Sequence, residues 1–276
     1  SDVWAHSDQF QMDADLHPTR VAGCPPDGFS ADGQLWGNPL FNWEQMRADG
    51  YHWWLHRISF QFRFYDVLRI DHFRGFDAYY AIPASAETAK EGTWEAGPGL
   101  DFFRAVEKVV GQRPIIAEDL GFMTETVKRL VEDSGYPNMK VIEFAFDERD
   151  TGNASDYLPH NYPRNCVVYT GTHDNATCNE DYHTYDSNKR ISLRRFFKNQ
   201  GYSSRAFNEM LCQYALDSNA DTVILPIWDI CGFKEEARIN TPGTVSNKNW
   251  TWKLKDFKTF PDKVMKTKEW IEKSNR

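Results

Sequence analysis

Five short apolar runs, separated by stretches with helical periodicity, restrict this chain to a small set of folds. They are Val67–Ile70, Pro114–Asp119, Val141–Phe146, Cys166–Thr170 and Thr222–Ile227. Each is rich in apolar and β-branched residues, as a strand of a parallel sheet buried on both faces must be. Parallel neighbours cannot be joined by a tight turn and need a crossover, usually a helix. The intervening stretches supply it. Leu100 to Val110 reads as a helix stopped by Gly111, and Thr124 caps another that carries Val127, Leu130 and Val131 on one face and ends at Gly135. Ile191 to Leu216 reads as two helical pieces broken near Gly201. The order strand, helix, strand, helix defines an α/β protein. The two architectures built this way are the closed (β/α)8 barrel of roughly 250 residues and the open doubly wound sheet. No GxGxxG follows any of the five runs, so a dinucleotide-binding fold has no support.

Three of the runs lead into a carboxylate. Val67-Leu68-Arg69-Ile70 leads into Asp71, Ile115-Ile116-Ala117 into Glu118, and Val167-Val168-Tyr169-Thr170-Gly171-Thr172-His173 into Asp174. One acidic residue after a strand is ordinarily a helix cap or a solvated turn. Three, one beside Arg69 and one beside His173, form a pattern. Residues i and i+2 of a strand share a face, so Arg69 and Asp71 project together and Ile70 faces the other way. A neighbouring guanidinium favours the charged carboxylate, which suits a nucleophile; the alternative is a structural ion pair. Glu118 follows an apolar strand with no cation beside it in sequence. Burial there raises the pKa of the carboxyl and suits a proton donor. Retaining glycoside chemistry uses two carboxyls of these two kinds, and opposite strand ends of a parallel barrel would supply their separation. Asp174 with His173 suits sugar hydroxyls and an oxocarbenium-like transition state. Asp119 reads as a supporting residue or a cap, and Glu143 as a subsite or structural group.

The remaining segments frame these runs. Asp2-Val3-Trp4 looks like the tail of a strand. Residues Gly23 to Pro39 read as a loop rich in Gly and Pro, of a length found in lids and binding loops. From Asn42 to about Arg63 the pattern is helical and strongly aromatic; Pro83-Ala84-Ser85 opens a short helix, and Trp94 to Gly99 is a loop. Lysine-rich residues 253–276 end in a surface helix. The organisation expected is one portion over 1–276: a strand end and lid loop in 1–41, β/α repeats in 42–252, and the tail.

Composition narrows the partners. The net charge is −8, which argues against nucleic acid or an anionic membrane. No apolar run approaches the length of a membrane helix, and no signal peptide opens the chain. The 5 cysteines are widely spaced without a CxxC, as in reduced cytoplasmic proteins. No clustered His/Cys ligands and no calcium loop suggest a metal or cofactor. Asn153, Asn175 and Asn249 open glycosylation-type triplets, read as accidents without a secretory signal. The 10 tryptophans suit either sugar stacking or core packing.

Six stretches carry a family resemblance: Gly33-Gln34-Leu35-Trp36-Gly37-Asn38-Pro39, Arg69-Ile70-Asp71-His72-Phe73-Arg74-Gly75-Phe76, Ile116-Ala117-Glu118-Asp119-Leu120-Gly121, Leu158-Pro159-His160-Asn161, Gly171-Thr172-His173-Asp174-Asn175 and Ala237-Arg238-Ile239-Asn240-Thr241-Pro242-Gly243-Thr244. In content and order they resemble the 4-α-glucanotransferases of the amylomaltase (disproportionating enzyme) family, in the α-amylase clan. The resemblance implies a (β/α)8 TIM-type barrel, of which this chain holds about the C-terminal five strands with their helices and lid loops. It implies retaining transfer of an α-1,4-glucan segment from a donor to a malto-oligosaccharide acceptor, without a cofactor, in the cytoplasm. Asp71 matches the nucleophile, Glu118 the acid/base and Asp174 the transition-state carboxylate. Arg69 and His173 match substrate-orienting residues, Asp2 a donor-site aspartate, Trp36 the active-site lid and Asn240 a second loop over the cleft. Trp36 reads equally as loop packing, Asn240 as a turn residue and His72 as a structural histidine.

Two departures stand out. Ala176 occupies a position where the family has Asp, and family members are about twice as long. An α-glucan hydrolase of the same clan, and an incomplete barrel fragment that needs the missing N-terminal half, are the competing readings. Open sheet edges would favour self-association.

Overall fold

The computed structural model describes residues 2–26, 30–121, 123–146, 154–255, 257–258 and 260–276, with the backbone alone at 154 and 155. The Asn153 triplet therefore begins outside the described residues. The chain is a mixed α/β protein and divides into two compact units, Ser1–Met139 and Lys140–Arg276.

The first unit carries two kinds of sheet. An antiparallel sheet has the order β2-β1-β4-β5, from β1 (Arg20–Cys24), β2 (Gln34–Pro39), β4 (Ala78–Pro83) and β5 (Thr93–Ala96). The parallel strands are β3 (Leu68–Ile70) and β6 (Ile115–Ala117), paired in the register Leu68↔Ile115, Arg69↔Ile116 and Ile70↔Ala117. β7 (Asn138–Val141) joins β6 in parallel at Ala117↔Asn138. The unit's helices are α1 (Asp2–Ala5), α2 (Trp43–Ala48), α3 (His52–Gln61), α4 (Leu100–Val110) and α5 (Glu125–Ser134).

The antiparallel sheet corrects three readings, and helix α1 a fourth. The 23–39 segment is not simply a loop, because its ends pair: Cys24 opposes Gln34 and Gly23 opposes Leu35. Gly23 permits this, since a Cβ there would lie 2.1 Å from the Gln34 carbonyl oxygen. Pro83 ends β4 instead of opening a helix, and Thr93–Ala96 is a strand. These strands alternate or carry Gly and Pro, so each lacks the long apolar run that marked the parallel ones. Asp2–Ala5 is helical, with its acidic residue in the first turn, where it complements the positive end of the helix dipole.

The aromatic 42–63 stretch is helical in two pieces. Asn42 caps α2 by accepting from Gln45 N–H. Gly50 and Tyr51 both take left-handed conformations and break the helix. The core beside them is aromatic: Phe73, Phe76, Phe102 and Phe103 are buried with Met46 and Ile115. Trp43 and Trp54 pack against Phe76 and Phe102. Part of the tryptophan excess is therefore core. Each large side chain buried in this way contributes roughly 1.5–3 kcal/mol.

The second unit pairs β8 (Cys166–Tyr169) with β9 (Thr222–Ile224) in parallel. Its helices are α6 (Cys178–Thr184), α7 (Ser187–Asn199), α8 (Phe207–Leu216), α9 (Ile227–Cys231) and α10 (Phe260–Lys273). Leu193, Phe197, Phe207, Met210, Leu211 and Tyr214 form its core with Val168 of β8. The helical break near Gly201 and the tail helix are where periodicity put them.

The expected strand Val141–Phe146 is displaced. The strand runs Asn138–Val141, and Ile142–Phe146 is a 3-10 helix. Asp119 sets the strand's start: its Oδ1 accepts from Met139 N–H at 3.0 Å and its Oδ2 from the Asn138 side chain at 3.2 Å. The alternating apolar residues 142, 144 and 146 mimic a strand that the backbone does not form.

Candidate active site

β3 and β6 lie side by side, not opposite one another, and this corrects the expected origin of the two carboxyls. Asp71 and Glu118 each follow the registered pair Ile70↔Ala117. The ladder continues through them: Glu118 N–H donates to Ile70 O at 3.0 Å, and Phe73 N–H donates to Glu118 O at 2.8 Å. Adjacent strands run about 5 Å apart, so the two acids leave the sheet at neighbouring points.

Their environments differ as acid/base chemistry requires. The Asp71 side chain is 78% exposed and pairs with Arg69, Nη1 to Oδ1 at 2.7 Å. Arg69 and Asp71 thus project to one side, and Arg69 Nε also reaches Met139 Sδ at 3.2 Å. Glu118 is buried. Its Oε2 accepts from His72 N–H at 2.6 Å and its Oε1 from Leu120 N–H at 2.8 Å. Burial pushes its pKa above the ordinary carboxyl value, the nearby Asp71 charge adds to this, and the two backbone donors oppose it. The net direction favours a protonated acid.

His72 organises this corner. It sits in a left-handed conformation at φ 48°, which turns its N–H onto Glu118. Burial, with Arg74 nearby, lowers its pKa to about 4, so the ring is neutral. Trp36 packs edge-on against that ring, with centroids 4.8 Å apart. Trp36 is exposed and lies on β2, the end strand of its sheet. In the first unit the structure thus joins Arg69, Asp71, Glu118 and His72, with Trp36 on His72. Asp2 pairs with Arg57 of α3 at 2.8 Å, and that hydrogen bond lowers its pKa.

The second unit holds its own cluster after β8. Asp174 Oδ1 accepts from Asn240 Nδ2 at 2.7 Å, and Asp174 Oδ2 lies 3.3 Å from His173 Nε2. Asn240 N–H donates to His173 O at 3.1 Å. The Trp250 ring lies against His173, with centroids 5.2 Å apart. Asn175 accepts from Thr172 N–H and Oγ1 at 2.8 and 2.7 Å, which shapes the turn that carries Asp174. Sequence reasoning missed Trp250, which it met only inside the Asn249 triplet. The Asn249 side chain is engaged locally, by Thr241 N–H and Thr244 O.

Beneath this turn lies Glu143. Its Oε1 is enclosed without a hydrogen-bond partner among the described residues, and a Cβ on Gly171 would lie 3.1 Å from its Oε2. Burial, then the neighbouring Asp229, push its pKa well up. Asp229 is itself buried, accepting from Thr170 Oγ1 at 2.5 Å and Cys178 N–H at 2.9 Å. Among the described residues no group of three or more His, Cys, Asp or Glu could hold a metal ion, and no helix is long and apolar enough to cross a membrane.

A parallel β/α sheet with an exposed, guanidinium-paired carboxyl and a buried, protonation-prone one at adjacent strand ends defines a candidate glycoside-processing site. The family model described as 4-alpha-glucanotransferase matches residues 1–259, and the chain belongs to that family. It is 40% identical over 281 residues to a 4-alpha-glucanotransferase of Thermus thermophilus, covering 100% of this chain and 55% of the relative. It is 43% identical over 262 residues to one of Streptococcus pneumoniae, covering 95% and 51%. Among solved structures, it superposes on the amylomaltase from Streptococcus agalactiae in complex with acarbose with a TM-score of 0.92 and 34% identity, covering 100% of this chain and 55% of that one. The amylomaltase from Corynebacterium glutamicum shares the fold at TM-score 0.73 and 16% identity, covering 100% and 44%. The chain spans about half the length of the curated relatives it matches.

Proposed function

We propose that this chain carries the catalytic groups of a 4-α-glucanotransferase that moves an α-1,4-glucan segment between malto-oligosaccharides by a retaining double displacement. The observation that carries this reading is the contrast between Asp71 and Glu118. One is exposed and paired with Arg69; the other is buried with its pKa raised; they follow a registered strand pair. Asp71 attacks the anomeric carbon and forms the glycosyl-enzyme while Glu118 protonates the departing glycosidic oxygen. The bond from anomeric carbon to Asp71 then breaks as an acceptor hydroxyl attacks, with Glu118 taking that hydroxyl's proton.

Asp174 is assigned the transition-state carboxylate from its motif, and His173, Asn240, Arg69 and Asp2 are assigned substrate contacts on the same ground. Trp36 offers an exposed ring for a sugar face. The finer fold proposed is a (β/α)8 barrel represented by about its last five strands. The acarbose complex of a similar protein supports a glucan substrate, and the cysteine pattern supports a cytoplasmic setting.

Incubation with maltotriose tests the reading. Glucose together with oligomers longer than the substrate is the expected product set. A rise in reducing ends without longer products would mean hydrolysis. No turnover by the folded chain, alone or mixed with the N-terminal portion of the Thermus thermophilus relative, would sink it. Asp71→Asn should abolish a trapped glycosyl-enzyme, whereas Glu118→Gln should still form one from a fluoride donor, whose leaving group needs no acid. The reverse pattern would exchange the two roles.

A further inference from the structure

The segment 239–250 contains no helix or strand, yet it supplies the hydrogen bond that Asp174 receives from Asn240. Something other than regular secondary structure must hold it. It is closed on itself by Trp250 N–H donating to Ile239 O at 2.7 Å and by Asn249, whose Oδ1 accepts from Thr241 N–H and whose Nδ2 donates to Thr244 O. Those bonds shape the loop. At the Asp174 turn it is held by Asn240 N–H donating to His173 O at 3.1 Å and by the Trp250 ring against His173.

Arg238 supplies the loop's anchor to α6. Its Nη1 pairs with Glu180 Oε1 at 3.2 Å, and its Nε donates to Asn240 O at 3.1 Å. One planar guanidinium therefore spans α6 and the loop, a geometry that an ammonium cannot reproduce. The pair is shielded, with the Arg238 side chain 28% and the Glu180 side chain 17% exposed. Glu180 is fixed in turn, because its Oε2 accepts from Thr177 N–H at 3.3 Å while Thr177 Oγ1 accepts from Glu180 N–H at 3.1 Å. This reciprocal capping box opens the helix that follows the Asp174 turn. The path runs from Thr177 through Glu180 and Arg238 to Asn240, and from Asn240 to Asp174.

We propose that Arg238 is a positioning residue: by pairing with Glu180 and holding the Asn240 carbonyl, it fastens the 239–250 loop to the start of α6 and sets the geometry in which Asn240 holds the Asp174 carboxylate. The inference rests on the reading of Asp174 as a reaction carboxylate. Arg238 itself touches no reacting atom. Its effect is on orientation, where small displacements cost rate and leave substrate binding largely intact.

The test combines kinetics with hydrogen exchange in wild type, Arg238→Ala, Arg238→Lys, Glu180→Gln, Asn240→Ala and the Arg238→Ala/Asn240→Ala double variant. Glu180→Gln keeps the capping box and removes the ion pair. Arg238→Ala should lower kcat for maltotriose disproportionation by about 10- to 100-fold with a much smaller change in KM. Arg238→Lys and Glu180→Gln should fall between it and wild type. Amide exchange in 239–250 should rise in Arg238→Ala while α8 stays protected. The double variant should be no slower than Asn240→Ala, because both act on one contact. Independent, multiplying losses in the double variant, or unchanged exchange in the loop, would overturn the proposal. If wild type shows no transfer, the functional reading fails, and the exchange measurement alone decides whether Arg238 fastens the loop. Should Arg238→Ala not fold, Glu180→Gln carries the same kinetic and exchange comparison.

Discussion

His72 shows how one residue serves two purposes that its sequence context only half reveals. Its backbone N–H binds Glu118 while its ring supports Trp36. The left-handed backbone is a strained one for a histidine, and burial keeps the ring neutral, with a pKa of about 4. An unfolded histidine titrates near 6.5. Between these values the unfolded chain binds more protons than the native one, so native stability rises with pH across the window and is lost as pH falls through it. The contribution is on the order of 3 kcal/mol. His72→Asn, which tolerates the left-handed conformation, should therefore flatten the difference in denaturation midpoint between pH 7 and pH 5. An unchanged slope would mean that His72 is accessible enough to charge in the folded protein. A carboxylate after three of the five apolar runs made Asp71, Glu118 and Asp174 candidates, and the pairing of Arg69 with Asp71 was legible from the i, i+2 rule. The ring contact of Trp250 and the backbone role of His72 were not, because each depends on a turn that brings residues together without periodicity.

At the scale of elements, helix ends obeyed their capping residues more faithfully than strands obeyed their apolar runs. Thr124 caps α5 and Gly135 ends it in the left-handed conformation, as the residue types dictate. Strand β7 begins earlier than its apolar run because Asp119 binds Asn138 and Met139, a contact made across strands and invisible along one of them. The antiparallel strands were missed for a related reason: Gly23, Gly37 and Pro39 read as loop residues, and only pairing makes them a sheet. The caps can be ranked. Thr124 is satisfied locally on an exposed turn, where its loss costs about 1 kcal/mol. Thr177 caps α6 and also donates from Oγ1 to Phe233 O at 3.0 Å, and it is buried. Thr177→Ala removes the cap and leaves that carbonyl unpaired, so about 2–3 kcal/mol is expected. Urea denaturation of the two alanine variants should place Thr177→Ala below Thr124→Ala in stability; equal losses would show that the Phe233 bond contributes nothing.

The whole molecule poses a problem of edges. Among the described residues β3 of the first unit pairs only with β6, β9 of the second only with β8, and β2 ends the antiparallel sheet. Unpaired N–H and C=O groups along such strands are templates for further pairing. Apolar side chains accompany them: Ile224 on β9 is 40% exposed, and Leu35 and Trp36 on β2 are 43% exposed. No charged residue interrupts Thr222-Val223-Ile224-Leu225, where natural edge strands commonly place lysine as a guard. The chain also spans about half the length of its curated relatives. We expect it to associate with itself in a concentration-dependent way, and Ile224→Lys to weaken that association by putting a charge on the β9 edge. Size-exclusion chromatography with light scattering, run over a dilution series, reads both effects. A wild-type chain that stays monomeric throughout would show that the strand edges are protected. Association that is indifferent to Ile224→Lys but lost in Trp36→Lys would place it on β2, where it would cover the Trp36 ring that we propose for a sugar face.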